Sequence, residues 1–242
     1  ATRGLPGHSL PLQPLVLVAR RAHDDLVRAG VDLEPDDPIA GHSQVLGVEP
    51  LKQRRAERSV DVVDVGNDAV EVVRQHGWNG LTARSIAKEL NASTKPIYGY
   101  FKSMVVLEEA VVKRIVDLLY DTMIQTRTGD PWHDHGIGYA TFGFEEKKLF
   151  LAANDDRHVV NYREYGQIIW DRCTASLADY PPFKGLSDDQ IFMVQFLRWL
   201  MAHGLAFQAA IQPPGLYDEA VITEKMQTGS RAILSGLKME FQ

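Results

Sequence analysis

The sequence predicts an all-α protein, and three observations carry that prediction. From about Lys52 onward, apolar residues recur at helical spacing almost throughout. Capping residues and Gly, Asn or Pro punctuation separate those stretches. Strand-type alternation is almost absent. The expected order is a Pro-rich N-terminal extension over 1–51, a small three-helix domain with a helix-turn-helix over 52–104, and a larger helical domain over 105–242.

The extension holds half of the 12 prolines (Pro6, Pro11, Pro14, Pro35, Pro38 and Pro50), which resist regular structure. One helix fits between Leu15 and Ala29, where Val16, Ala19, Ala22 and Leu26 share a face. Next, Val62, Val65, Ala69, Val72 and Val73 define a helix ending at His76-Gly77, with Gly77 as a left-handed C-terminal cap. Thr82 caps a second helix bearing Ile86, Ala87 and Leu90, and Asn91 supplies a left-handed turn. Ser93 is expected to cap a short third helix through Pro96, Ile97 and Tyr98, ending near Phe101. Ser103 caps a long fourth helix with Val106, Leu107, Ala110, Val111, Ile115, Leu118 and Leu119 as its stripe. After the Thr128-Gly129-Asp130-Pro131 break, helices are expected near 134–153, 157–179, 187–211 and 217–237.

Composition narrows the function classes. No apolar run approaches the ~20 residues that span a bilayer, so no membrane partner is expected. The lone Cys173 excludes a disulfide framework within the chain and reads as a small buried residue; a cytoplasmic location fits. Glycine-rich phosphate loops and a serine nucleophile elbow are absent. His133 and His135 would need a further ligand to hold metal, and the adjacent carboxylates of Glu145-Glu146 and Asp155-Asp156 do not converge in a helix. No enzyme, cofactor or metal is expected. The net charge of −6 is unevenly spread: Lys52, Arg54, Arg55 and Arg58 face only Glu57. These cations read as a solvated helix start, or as an arm entering a minor groove.

The informative unit is the pair of short helices around Asn91-Ala92-Ser93. In a helix-turn-helix the second helix lies in the major groove with its N-terminal residues at base edges. Thr94, Lys95 and Pro96 would stand there, with Ser93 at the entry; lysine reaches guanine acceptors, and threonine and proline can meet a thymine methyl. Tyr98, Tyr100 and Lys102 suit phosphate oxygens, while Thr82 and Arg84 open the preceding helix. Tyr98 also admits a core reading.

The strings Gly77-Trp78-Asn79-Gly80-Leu81-Thr82-Ala83-Arg84-Ser85-Ile86-Ala87 and Asn91-Ala92-Ser93-Thr94-Lys95-Pro96-Ile97-Tyr98-Gly99-Tyr100-Phe101-Lys102-Ser103 resemble the N-terminal domain of tetracycline-repressor-like (TetR family) regulators. Asn91 stands where glycine is commoner, and Met104 where lysine is frequent. The resemblance implies a homodimeric repressor of a palindromic double-stranded DNA operator. It also implies a C-terminal domain that dimerises and binds a small-molecule effector of unknown identity. Its last two long helices would form the dimer, with Phe192, Phe196, Trp199, Leu200, His203 and Phe207 on one stripe. Tyr139, Phe142, Phe144, Phe150, Tyr162, Tyr165 and Trp170 would line an effector pocket, or serve as plain core. The alternative function is a helical protein-interaction module that no longer binds DNA.

Overall fold

A computed structural model of the chain describes residues 61–241. The expected extension over 1–51, its helix and the Lys52–Arg58 cations lie outside the described residues. Helices are numbered here from the first one described.

Helix α1 (Val62–His76) begins at an Asp61–Asp64 capping box and buries Val65, Ala69, Val72 and Val73, leaving Val62 exposed. Gly77 has φ +66°, as a C-terminal glycine should, but ψ −173° places it outside the left-handed helical region. That mirror-extended conformation is open essentially to glycine alone. A 3-10 turn (Trp78–Gly80) leads to α2 (Ala83–Glu89), where Thr82 and Ser85 cap each other. Asn91 sits at φ 52°, and the Ala92 N–H donates to the Ala87 carbonyl at 2.9 Å, closing α2 in a Schellman arrangement.

Helix α3 (Lys95–Tyr100) corrects one expectation. Its N-cap is Thr94 rather than Ser93, and no side chain caps it. The Schellman turn already directs the backbone here, and Pro96 falls in the first turn where no N–H is needed. Helix α4 (Met104–Met123) starts at Ser103, whose hydroxyl accepts from the Val106 N–H. It buries Leu107, Val111, Ile115 and Leu119, with Val106 exposed.

The stretch expected as one helix over 134–153 is two. Helix α5 (Pro131–Glu145) begins earlier because Asp130 caps the Trp132 N–H and Pro131 takes the first position. The chain bends at Glu146 (φ −108°, ψ 46°) and resumes as α6 (Lys147–Ala153). Helix α7 (Val159–Ser176) follows a 3-10 turn (Asp156–His158). After a further 3-10 turn (Pro181–Phe183), the Ser187–Gln190 box opens α8 (Asp188–Ile211), and Asp218 caps α9 (Glu219–Glu240).

Helix α5 is the axle of the C-terminal domain, packed by α4, α8 and α9 and buried from Asp134 to Gly143. Two glycines permit this. A Cβ on Gly138 would stand 2.4 Å from the Thr122 carbonyl oxygen, and one on Gly143 2.7 Å from Ala206. Helix α1 packs on α4 and α6, so the helix-turn-helix domain and the larger domain share one core.

Candidate nucleic-acid interface

The short α3 owes its position to two anchors. Ile97 and Phe101 are buried in the core with Ile86 and Leu90 of the preceding helix and turn. Everything on the opposite side is presented outward. Lys95, Gly99, Tyr100 and Lys102 are exposed, and Tyr98 is 58% exposed, which places it on the surface rather than in the core. Thr94 and Pro96 are half-buried, Ser93 exposed. Ser93, Lys95, Pro96, Gly99 and Tyr100 line an open concavity of about 490 Å³. A Cβ at Gly99 would meet nothing within 4 Å, so no internal packing demands glycine there.

From Thr82 to Ser103 the cations Arg84, Lys88, Lys95 and Lys102 face one carboxylate, Glu89. All four cations are exposed. Locally the face is therefore basic although the chain carries −6, and a phosphate backbone responds to the local field. Thr82 is exposed, but its hydroxyl is engaged in the cap with Ser85.

The base of this domain is tied to the larger one by specific polar contacts. The buried indole N–H of Trp78 donates to the Ala152 carbonyl at 2.8 Å, and its ring lies 4.3 Å from that of His158. His158 Nε2 stands 3.4 Å from a Glu108 carboxylate oxygen. The Arg74 Nε donates to Glu146 at 2.9 Å, and Lys148 donates to the Gln75 carbonyl. Sequence reasoning missed this seam, since its members lie far apart in the chain.

The residues expected to line a pocket and those expected to form a dimer turn out to be largely one aromatic row. Ring contacts run from Trp170 to Phe192 (5.5 Å), Phe196 (5.8 Å), Trp199 (5.8 Å) and His203 (5.4 Å), and on to Tyr139 (6.0 Å) and Phe150. The Tyr139 hydroxyl lies 2.9 Å from both the Tyr162 hydroxyl and His203 Nδ1. Burial raises the pKa of both tyrosines and lowers that of His203, so all three are neutral near pH 7. Phe142 is buried in the core, while Phe144 and Tyr165 pack half-buried against it.

Phe207 belongs to a different face. Met193, Leu197, Leu200, Gly204, Phe207 and Ile211 follow alternating steps of four and three along α8. Leu200, Phe207 and Ile211 are 44%, 41% and 50% exposed. Beside it, α9 presents Val221, Thr228, Ala232 and Met239 at matching spacing. Also unforeseen is Arg198, the one Asp, Glu, Lys or Arg between Gln190 and Ile211, which is buried; a single charge in so apolar a run was the available signal.

Residues 67–111 match the sequence profile of bacterial regulatory proteins of the tetR family. No curated protein matches the chain significantly in sequence. Among solved structures, a transcriptional regulator from Rhodococcus sp. Rha1 superposes with TM-score 0.58 at 16% identity, covering 72% of this chain and 96% of that one. The fatty acid degradation regulator FadR from Bacillus halodurans superposes with TM-score 0.52 at 15% identity, covering 73% and 99%. The fold is that of these regulators, and the profile match falls on the helix-turn-helix described above. Residues 67–111 thus carry a tetR-family profile match within a chain whose fold is that of these regulators.

Proposed function

We propose that this chain is a TetR-family regulator, a repressor that binds a palindromic operator as a homodimer and is released by a small-molecule effector. The observation that carries the reading is the two-sidedness of α3: Ile97 and Phe101 lock it to the core, while Lys95, Tyr98, Gly99 and Lys102 face outward on a locally basic surface. Lys95, Thr94 and Pro96 then read bases, Tyr98, Tyr100 and Lys102 hold phosphates, and Arg84 supports either. Dimerisation uses the exposed stripe of α8 around Leu200 and Phe207 with the α9 face of Val221, Thr228, Ala232 and Met239. A two-fold dimer spaces its reading helices roughly 34–36 Å apart, one DNA turn. The effector binds within the helical domain, beside the aromatic row. No described helix is long and apolar enough to cross a membrane, and a cytoplasmic setting suits a DNA partner.

The test is selection of bound duplexes from a random pool at moderate salt. An enriched palindrome supports a dimeric, sequence-specific regulator. The net charge of −6 favours one rival, an interaction module without DNA binding. Failure of folded, effector-free protein to enrich any site, together with no DNA retention even at low salt, where phosphate contacts are strongest, would favour that rival.

A further inference from the structure

The C-terminal domain holds a buried cation that has no counter-ion among the described residues. Arg198 stands on the core side of α8, 5% exposed. Its guanidinium lies 4.1 Å from the Trp132 ring centroid and donates to the Trp132 carbonyl at 2.6 Å. Among the described residues no carboxylate reaches ion-pair distance. Asp130 acts on it only from farther away, and that carboxylate already accepts from the Tyr180 hydroxyl at 2.9 Å and faces His133 at 3.3 Å.

The charge on Arg198 is real at neutral pH. Burial brings its pKa down to about 10, which still leaves it protonated. Apart from Asp130, its titratable neighbours are neutral: burial pushes the Cys173 thiol up to about 11, raises the Tyr180 phenol and holds His135 down at about 4. A cation over an aromatic face with one carbonyl is only partly compensated for leaving water. Beside it, the buried Trp132 indole N–H and His135 Nδ1 have no hydrogen-bonding partner among the described residues. Such buried polar atoms are uncommon and call for a partner.

We propose that Arg198, with the Trp132 indole and His135, receives the carboxylate of a small apolar acid. The guanidinium is a planar fork that matches a carboxylate in two parallel hydrogen bonds. One negative charge neutralises this cluster, whereas a phosphate dianion would leave an excess buried charge. Leu177, Phe183 and Val194 form the apolar cluster around Trp132 against which the acid's body packs. A cavity of about 110 Å³, lined in part by Ile124 and Pro131, reaches His135 from between α4 and α5. Asp134 borders it, but its carboxylate is engaged by Thr128 and the Arg127 N–H. The inference rests on the effector reading above and names the chemical class of that effector.

The experiment titrates the full chain with benzoate and octanoate, against benzamide, octanamide and inorganic phosphate, by isothermal calorimetry. Release of the selected operator is followed in parallel. The acids are expected to bind and the amides and phosphate not. Arg198→Lys should weaken acid binding by about 10- to 150-fold, the worth of a lost charged hydrogen bond. Arg198→Met should abolish it while raising Tm, because an apolar side chain replaces an unpaired buried cation. Acid binding that leaves operator affinity unchanged retains the carboxylate site and removes its effector role. Operator release by the amides, undiminished in Arg198→Met, retains the effector reading and overturns the carboxylate site. Phosphate binding as tightly as the acids overturns it too. No response to any acid overturns it whatever the Tm, and a lowered Tm in Arg198→Met would then make Arg198 a structural residue.

Discussion

Gly99→Ala should make the protein more stable and a weaker DNA binder, and the opposite signs are what make it informative. Gly99 lies in α3 with helical backbone, and a Cβ there meets nothing within 4 Å inside the protein. The substitution therefore brings no clash, and glycine costs a helix interior about 0.5–1 kcal/mol relative to alanine. For a domain of this size that is a rise in Tm of about 1–4 °C. Outside the protein the position borders the concavity with Lys95 and Tyr100, where a DNA strand would come closest. A methyl group forced into a close-packed contact costs about 1–3 kcal/mol, which is about 5- to 150-fold in Kd. Thermal melting by circular dichroism and fluorescence anisotropy on the selected operator measure the two effects, and Gly99→Leu should extend the second. A Gly99→Ala protein that melts higher and still binds like the parent would mean that this face of α3 does not meet DNA.

Other expectations follow from the same geometry. Lys95→Ala should cost on the order of 1–3 kcal/mol at one operator position and relax specificity there, while Lys102→Ala should weaken all sequences alike and reduce the salt slope by about 1; both are read by anisotropy titrations over a salt series. Phe207→Glu should shift sedimentation velocity from dimer to monomer and remove binding to the palindrome, and an unchanged dimer would exclude the α8 stripe as the interface. Trp78→Phe removes the indole donor to the Ala152 carbonyl, which keeps the Asp155 N–H at 3.2 Å, and should lower stability by about 0.5–1.5 kcal/mol in urea melts. For pH, His135 has its pKa lowered by burial to about 4 in the folded chain, against about 6.5 unfolded. The unfolded state therefore binds the proton first, so stability present above about pH 6.5 declines as pH falls toward 4, by about 3 kcal/mol in all. His203 adds in the same direction. His135→Asn should flatten that slope in urea melts taken across the window.

What was legible in the sequence was the local chemistry of turns. Asn91 declares a left-handed residue, and Thr82 and Ser103 declare helix starts, because caps act over a few residues and depend on little else. Ser93 misled because Thr94 next to it is an equally good cap candidate, and the Schellman turn, not a side chain, decides where α3 begins. The bend at Glu146 has no proline to announce it; it coincides with the Glu146–Arg74 contact, which depends on tertiary packing. Helix α8 shows the deeper limit. It is apolar almost all round, so periodicity cannot say which stripe meets which neighbour. Phe192, Phe196, Trp199 and His203 face the aromatic row, the parallel stripe through Leu200 and Phe207 is exposed, and Arg198 turns into the core.

These faces of α8 bear on how a pocket could govern a groove. Helix α6 packs on α8 at one side and on α1 at the other. Through it, any shift of α8 reaches the seam where Trp78 donates to Ala152 and Arg74 meets Glu146. The polar contacts of the seam are specific but weak: one buried hydrogen bond contributes about 1 kcal/mol, and a half-exposed ion pair roughly 0–1 kcal/mol. Moving a two-state equilibrium from 1:99 to 99:1 requires a ligand to prefer one state by about 10⁴-fold, or about 5.5 kcal/mol. Those polar contacts lie within that reach, whereas the apolar α1–α4 packing and the α5 axle, with glycine backbones against α4 and α8, do not part so cheaply. On the function proposed above, the conformers a ligand selects between would differ in the polar contacts that tie α6 to α1, with the α4–α5–α8 core and the apolar α1–α4 packing common to both.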